Sequence, residues 1–424
     1  MKIAVWHNLP SGGGKRALYH HVAGLLARGH AVEAWCPETA DRSFLPLSEL
    51  ITEHVLPVTF KKRRRNLISE RFSGFTEIVD RASAMDEPAR QAAQFINNGG
   101  FDLLFANSCR CFRVPFKIGH YTKIPKALYL QEPYRNLYES LPSLPWAALP
   151  SRKQLGVSRW KYFKHFVRDL IEVQGLRIQV REELENAKCF DSILVNSFFS
   201  RESVLRAYGI NARVCYLGVD TDMYKPIAQN KGNYLVGIGG VDIGKGIERV
   251  ISAIAQVSES IRPECIWIGN FTNKRHQQKL QNLAESKKVK ISFEINLPDA
   301  RVITLLSRAM ALIYTPRLEP FGLAPLEANA CGTPVIAIAE GGVRETVHDG
   351  INGILVTNDD PNELAQAITT FAQNPDDAKT LGLRARQYVV ENWTWDKAID
   401  RLENCFEQVI ASGRKIESDG KQEN

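Results

Sequence analysis

The chain has 424 residues, of which 44% are hydrophobic and 24% charged, with a formal net charge of +7. That length exceeds one ordinary core, so two domains are expected, and the apolar content is that of a globular protein. No apolar run approaches the ~20 residues of a membrane span, and eight scattered cysteines without zinc-site spacing exclude a small disulfide scaffold.

The first residues, Met1-Lys2-Ile3-Ala4-Val5-Trp6, enter a strand pattern directly, without the apolar core or cleavage site of a signal peptide. A cytoplasmic protein with reduced thiols is therefore expected. Strands are expected at Ile3–Trp6, Ala31–Trp35, Leu103–Ala106, Ala127–Leu130, Ile193–Asn196 and Arg213–Tyr216. Helical stretches lie between them, such as Arg16–Ala27, which ends at Gly29. This alternation predicts a parallel, doubly wound sheet. Gly218–Pro226 breaks the pattern, and the polar Gln229-Asn230-Lys231-Gly232 follows, so residues 218–232 read as a linker. A second alternation has strands at Tyr234–Ile238, Cys265–Ile268, Ile291–Phe293, Ala311–Tyr314, Val335–Ile338 and Ile354–Val356. The expected division is an N-terminal α/β domain over 1–217 and a C-terminal one over 233–392. A helix over 393–412 and a disordered tail over 413–424 complete it.

Positive charge is concentrated in two places. Lys61-Lys62-Arg63-Arg64-Arg65 is one. The other holds Arg152, Lys153, Arg159, Lys161, Lys164 and Arg168, interleaved with Trp160, Tyr162, Phe163 and Phe166. Basic residues mixed with aromatics suit an anionic membrane surface, although most such runs are solvated helix faces. No nucleic-acid motif accompanies the charge, so no nucleic-acid partner is expected.

Glu319 and Glu327 lie eight residues apart, between the apolar Ala311–Tyr314 and a helix-like run. On a strand–loop–helix, that spacing can bring two carboxylates to one crevice at the carboxyl edge of a parallel sheet, where open α/β sheets bind ligands. Carboxylates accept hydrogen bonds, which suits a ligand rich in hydroxyls. On their own, the two read as a solvated loop end and a helix cap. Two glycine loops stand beside them in the same reading. Ser11-Gly12-Gly13-Gly14-Lys15-Arg16 follows the first strand, and Gly239-Gly240-Val241-Asp242-Ile243-Gly244-Lys245-Gly246 opens the second domain. Glycines let backbone amides approach a ligand, and a helix start favours an anion. The first loop lacks the Walker spacing.

The block Glu319–Val356 resembles the donor-binding segment of the family 4 retaining glycosyltransferases. It includes Cys331-Gly332-Thr333-Pro334, Glu340-Gly341-Gly342-Val343-Arg344-Glu345 and His348-Asp349-Gly350, and the likeness extends along nearly the whole chain. The resemblance implies the GT-B fold: two Rossmann-like domains facing a cleft, with the last helix crossing back to the N-terminal one. It also implies roles. Glu319 meets the donor sugar, and Glu327 the ribose. The backbone of Phe321, Gly322 and Leu323 grips sugar and diphosphate, as do Gly341 and Gly342 at a helix start. Gly13 and Gly14 lean over the donor phosphates, and the base sits near Ile291–Asn296. Lys245 holds the diphosphate, with Gly240 in this donor loop standing where an arginine is usual, so Arg317 or Arg16 is a candidate substitute cation. Gln131, in Leu130-Gln131-Glu132-Pro133, stands where a histidine that touches the transferred sugar is usual. The implied activity is hexosyl transfer from a UDP- or GDP-linked sugar to a glycan or lipid-linked saccharide, with no obligatory metal and no cofactor. An epimerase or phosphorylase on the same fold, or a non-catalytic nucleotide-sugar binder, is the alternative.

Overall fold

Strands buried on both faces of a parallel sheet need near-continuous apolar runs, and this chain supplies them. The computed structural model describes residues 1–60, 73–140, 144–227, 231–357 and 360–419. The basic block Lys61–Arg65 lies outside the described residues. The first sheet holds β1 (Lys2–Asn8), β2 (Ala31–Pro37), β3 (Glu53–Leu56), β4 (Leu103–Cys109), β5 (Lys126–Gln131), β6 (Ser192–Val195) and β7 (Arg213–Val214), in the order β3-β2-β1-β4-β5-β6-β7. The second holds β8 (Tyr234–Ile238), β9 (Glu264–Gly269), β10 (Ile291–Ile295), β11 (Ala311–Tyr314), β12 (Val335–Ile338) and β13 (Gly353–Val356), in the order β10-β9-β8-β11-β12-β13. Every pairing is parallel. The two sheets repeat one design: the chain starts in the middle, winds outward, then reverses. The reversal opens a crevice at the carboxyl ends of β1 and β4, and of β8 and β11.

The expected strands all form. β3 is additional: Glu53-His54-Val55-Leu56 is an edge strand with only Leu56 buried, so it carries no apolar run to betray it.

The chain divides into two compact units. The first comprises Met1–Asn196, Arg201–Cys215 and Arg401–Asn424, and the second Ser197–Ser200 and Tyr216–Asp400. In the first unit, Phe406 of the last helix, Trp395–Asp419, packs edge-on against Phe105 of β4 with centroids 5.0 Å apart. That helix continues past Ser412 because a single glycine, Gly413, costs only about 1 kcal/mol in a formed helix. In the second unit, helix Ile247–Gln256 buries Ile247, Val250, Ile251 and Ile254, spaced so that one face meets the sheet. Each such side chain contributes about 1.5–3 kcal/mol by leaving water.

Residues read as a linker are bound into the second unit. The Arg386 guanidinium donates to the carbonyls of Thr221 and Tyr224 at 2.8 and 2.6 Å, and Lys231 Nζ donates to Thr333 Oγ1 at 2.7 Å.

Candidate functional site

In the second unit, the loops after β8, β11 and β12 converge at the carboxyl edge of the sheet. The loop after β8 begins with Gly239, whose φ of 149° suits glycine, and Gly240. It is held from beneath by Trp267, fully buried, whose indole Nε1 donates to the Gly239 carbonyl at 2.8 Å. Asp242 then accepts the Gly244 amide at 2.9 Å and caps the short turn Ile243–Lys245. Gly246 follows at φ 70°, where an added Cβ would stand 2.9 Å from the Thr315 carbonyl oxygen. Thr315 Oγ1 in turn donates to the Lys245 carbonyl at 2.9 Å. The loops after β8 and β11 are thereby stitched together, and Lys245 Nζ comes to lie 3.2 Å from Glu319 Oε2.

Leu318 adopts a left-handed conformation, φ 51°, immediately before Glu319. Such strain in a non-glycine residue is held only where the surroundings over-determine it. Tyr314, at the end of β11, reports where the carboxylates are. Burial first, then the charge of Glu319, its hydrogen bond to the phenol and the charge of Glu327 push the Tyr314 hydroxyl well above its ordinary pKa. Glu319 is thus the carboxylate nearest this hydroxyl in effect, with Lys245 paired to it and Glu327 a weaker, more distant charge.

Gly341 and Gly342, expected to hold the diphosphate, pack closely against the loop after β11. The helix they precede, Val343–Thr346, is a single turn, too short for a strong dipole. The Gly342 amide is already donating to the Glu319 carbonyl at 2.8 Å. An added Cβ would stand 2.4 Å from the Glu319 carbonyl oxygen at Gly341, and 2.1 Å from that of Pro320 at Gly342. The two glycines let the loop after β12 lie directly on the Glu319–Pro320 backbone. Phe321 is buried at 3% exposure, its ring packed against Tyr216 and Trp393. Gly322, φ 103°, and Leu323 start helix Leu323–Ala330, which carries Glu327. Arg317, one candidate substitute cation, is paired to Glu340 at 2.5 Å, and Arg16, in the first unit, lies over the Phe44 ring.

Residues missed at the sequence level hold this loop in place. Glu345 accepts the amides of Phe198 and Phe199 and the Tyr216 hydroxyl, at 2.9, 3.0 and 2.8 Å. Ser197 Oγ donates to the Pro320 carbonyl at 2.5 Å. A glutamate three residues beyond the paired glycines was the available signal.

In the first unit, Gly13 and Gly14 open helix Gly13–Ala27, and Gln131 ends β5. Gln131 lies against Gly14, where an added Cβ would stand 2.9 Å from Gln131 Nε2. Gln131 has φ 66°, next to an irregularity in the β5–β6 register, and its buried Nε2 has no partner among the described residues. Strain and an unused buried donor mark a position shaped for something other than packing. His120 lies apart, beside Cys189 at 3.3 Å. A cavity of about 1100 Å³ in this unit is lined by Asp41, Arg42, Glu53, Arg81, Arg110 and Cys111, among others.

Among the described residues, one group has metal-ligand spacing: His7, Cys36 and Glu53, with donor atoms within 4.8 Å of one another. His7 Nε2 already bonds Glu53 Oε1 at 2.9 Å, and burial pushes the Cys36 thiol up to about 12. Burial also lowers Lys15 beside them. A neutral thiol and a neighbouring lysine suit a hydrogen-bonded polar core better than a cation.

Residues 219–388 match the family model described as glycosyl transferases group 1. A D-inositol 3-phosphate glycosyltransferase 1 from Catenulispora acidiphila is 39% identical over 108 residues, 25% of this chain and 26% of that protein. The alpha-maltose-1-phosphate synthase of Mycolicibacterium smegmatis is 24% identical over 267 residues, 56% of this chain and 68% of its own. The chain thus spans from about a quarter to about two thirds of the curated relatives it matches. Among solved structures, Anabaena Alr3699/HepE in complex with UDP and glucose superposes with a TM-score of 0.69 at 19% identity, covering 96% of this chain and all 100% of that one.

Proposed function

Because residues 219–388 match the family model for glycosyl transferases group 1, we propose that this chain is a retaining glycosyltransferase. It moves a hexose from a UDP- or GDP-linked sugar to a glycan or lipid-linked saccharide in cell-surface polysaccharide biosynthesis. The observation that carries this reading lies at the carboxyl edge of the second sheet: Lys245 Nζ stands 3.2 Å from Glu319 Oε2, and helix Leu323–Ala330 in the same loop–helix segment carries Glu327. Two acceptor-only carboxylates suit the hydroxyl-rich ends of a nucleotide sugar, and a cation beside them suits its diphosphate.

In this reading, Glu319 holds the sugar hydroxyls, Glu327 the ribose hydroxyls and Lys245 the diphosphate. The departing diphosphate gains negative charge, which a fixed ammonium stabilises most at the transition state. Its oxygen, on the same face as the incoming hydroxyl, takes the proton. That geometry retains the anomeric configuration and needs no obligatory metal. Gln131 offers a hydrogen bond to a hydroxyl but cannot take up a proton near neutral pH. The likeness to a structure holding UDP and glucose supports a UDP-linked donor, and the polar cavity of the first unit supports a hydroxylated acceptor.

The same proposal extends to an anionic membrane surface. None of the described helices is long and apolar enough to cross a membrane. Helix Arg159–Ala187 buries residues only from Gly175 onward, and its first turns expose Trp160, Phe163, Phe166 and Leu170 alongside their basic neighbours. Lys164 Nζ lies 5.3 Å from the centre of the Trp160 ring. Exposed aromatics and cations on the first turns of one helix suit anionic lipid headgroups and a lipid-linked acceptor.

The test is direct. Purified protein incubated with labelled UDP- and GDP-hexoses should bind one nucleotide selectively and transfer its sugar to a saccharide acceptor with α-retention, read by NMR of the product. Nucleotide binding without transfer or hydrolysis, or product with inverted configuration, would overturn it.

A further inference from the structure

Phe271 is a large apolar side chain left 51% exposed at the carboxyl edge of the second sheet. It follows β9, and its backbone is fixed: its carbonyl accepts the Val241 amide at 3.0 Å, and Val241 bridges Thr272. Its ring lies over Gly240. A Cβ at that position would stand 2.2 Å from Phe271 Cζ, so glycine there lets the ring lie where it does and a larger residue would push it aside. The adjacent Gly239 is flanked in turn by the methylenes of Lys245, 3.0 Å from where its Cβ would be. The Gly239–Gly240 turn thus separates two chemistries. On the β11 side stand the Lys245 ammonium and the two carboxylates. On the β9–β10 side stands a half-exposed aromatic ring.

A single exposed hydrophobe needs no explanation. An exposed ring on a rigid backbone, seated on a glycine where a larger residue would push it aside, is a prepared surface. The strand order β10-β9-β8-β11 fixes which part of an elongated ligand meets it. If the charged and hydroxylated parts take the Lys245, Glu319 and Glu327 side, the flat, uncharged end falls on the β9–β10 side. We infer that Phe271, seated on Gly240, is the stacking platform for the nucleobase of the donor. The inference rests on the reading of this edge as a nucleotide-sugar site and names a recognition residue within it.

Aromatic stacking on a base contributes about 1–3 kcal/mol and tolerates different bases because each has a π-face. The experiment is calorimetric titration of the full chain with UDP, GDP and inorganic pyrophosphate, for wild type, Phe271→Ala, Phe271→Leu and Phe271→Trp. Phe271→Ala and Phe271→Leu should weaken the nucleoside diphosphate that wild type binds by roughly tenfold, the lower half of that stacking range. Pyrophosphate affinity should stay unchanged, and Phe271→Trp should retain or tighten nucleotide binding. Melting temperatures close to wild type would confirm intact folds, as expected for a half-exposed ring. Nucleotide affinity unchanged in Phe271→Ala, full affinity in Phe271→Leu, or an equal loss for pyrophosphate would overturn the platform. Failure of wild type to bind any nucleotide would instead overturn the site reading beneath it.

Discussion

Replacing Lys245 by methionine keeps the length of the side chain, and its contact with Gly239, while removing the charge. Lys245 Nζ lies 3.2 Å from Glu319 Oε2, with the two side chains 28% and 21% exposed. In a partly solvated site of effective dielectric ~20, such a pair attracts by about 5 kcal/mol, falling to about 1.3 kcal/mol in bulk water. Desolvation offsets much of that, so the pair adds little to folding stability. The same ammonium facing a leaving diphosphate counts for more, since hydrogen bonds to charged groups contribute about 1.5–3 kcal/mol. Lys245→Met should therefore lower kcat/KM by roughly 10- to 150-fold, at 1.36 kcal/mol per decade. Steady-state kinetics with the nucleotide sugar that the wild type uses would measure it. A second effect must be separated, because the substitution also leaves Glu319 without its cation beside the sugar position. The double variant Lys245→Met/Glu319→Gln separates the two. If the lysine only neutralised Glu319, the double variant would recover the loss; if it holds the diphosphate, the double variant stays at or below the single one. Unchanged kcat/KM in Lys245→Met, or recovery in the double variant, would refute the role given to Lys245.

Glu327→Ala should weaken nucleoside diphosphate binding by roughly one to two decades through loss of a charged acceptor, while leaving pyrophosphate affinity alone; titration calorimetry checks both. Gly240→Arg would add a cation to the donor loop but must displace the Phe271 ring, 2.2 Å from its Cβ. It should therefore raise turnover only in a Phe271→Ala background, a comparison that kinetics of the three variants makes. Cys111 is held down to about 7, chiefly by a hydrogen bond from the Cys109 thiol and then by Arg81 and Arg110, whereas burial pushes Cys36 and Cys265 up to about 12. Below that value Cys111 is a thiol and above it a thiolate, so iodoacetamide labelling should rise through pH 7 at Cys111 alone of these three, as read by peptide mass spectrometry. Binding to anionic liposomes at low salt should weaken with added salt and with charge reversal at Lys161, Lys164 and Arg168, each cation contributing about 1 kcal/mol near the surface. Equal sedimentation with neutral and anionic vesicles would refute the membrane reading.

The strands were legible because a parallel sheet buries both faces and leaves a run of apolar letters, as in Ala311-Leu312-Ile313-Tyr314. β3 was not, because an edge strand with one buried residue leaves no such run. Glu319 and Glu327 were legible as a pair because their spacing across one loop is local. What surrounds them was less so, for a reason the glycines make plain. A glycine in a sequence says that a side chain is excluded, but not by what. At Gly341 and Gly342 the excluding atoms are the backbone of Glu319 and Pro320, some twenty residues earlier, so the motif also packs two loops closely together. At Gly14 the excluding group is the Gln131 amide, and at Gly240 it is the Phe271 ring. Neither partner is near its glycine in the chain, and Phe271 carries no motif of its own. Gly240 looked like a missing arginine while the sequence alone was in view. Beside Phe271, it is the space that the ring occupies, so a cation at position 240 and the ring in its present place exclude each other. Variants at either position must then be read as a coupled pair, since contacting residues do not contribute additively.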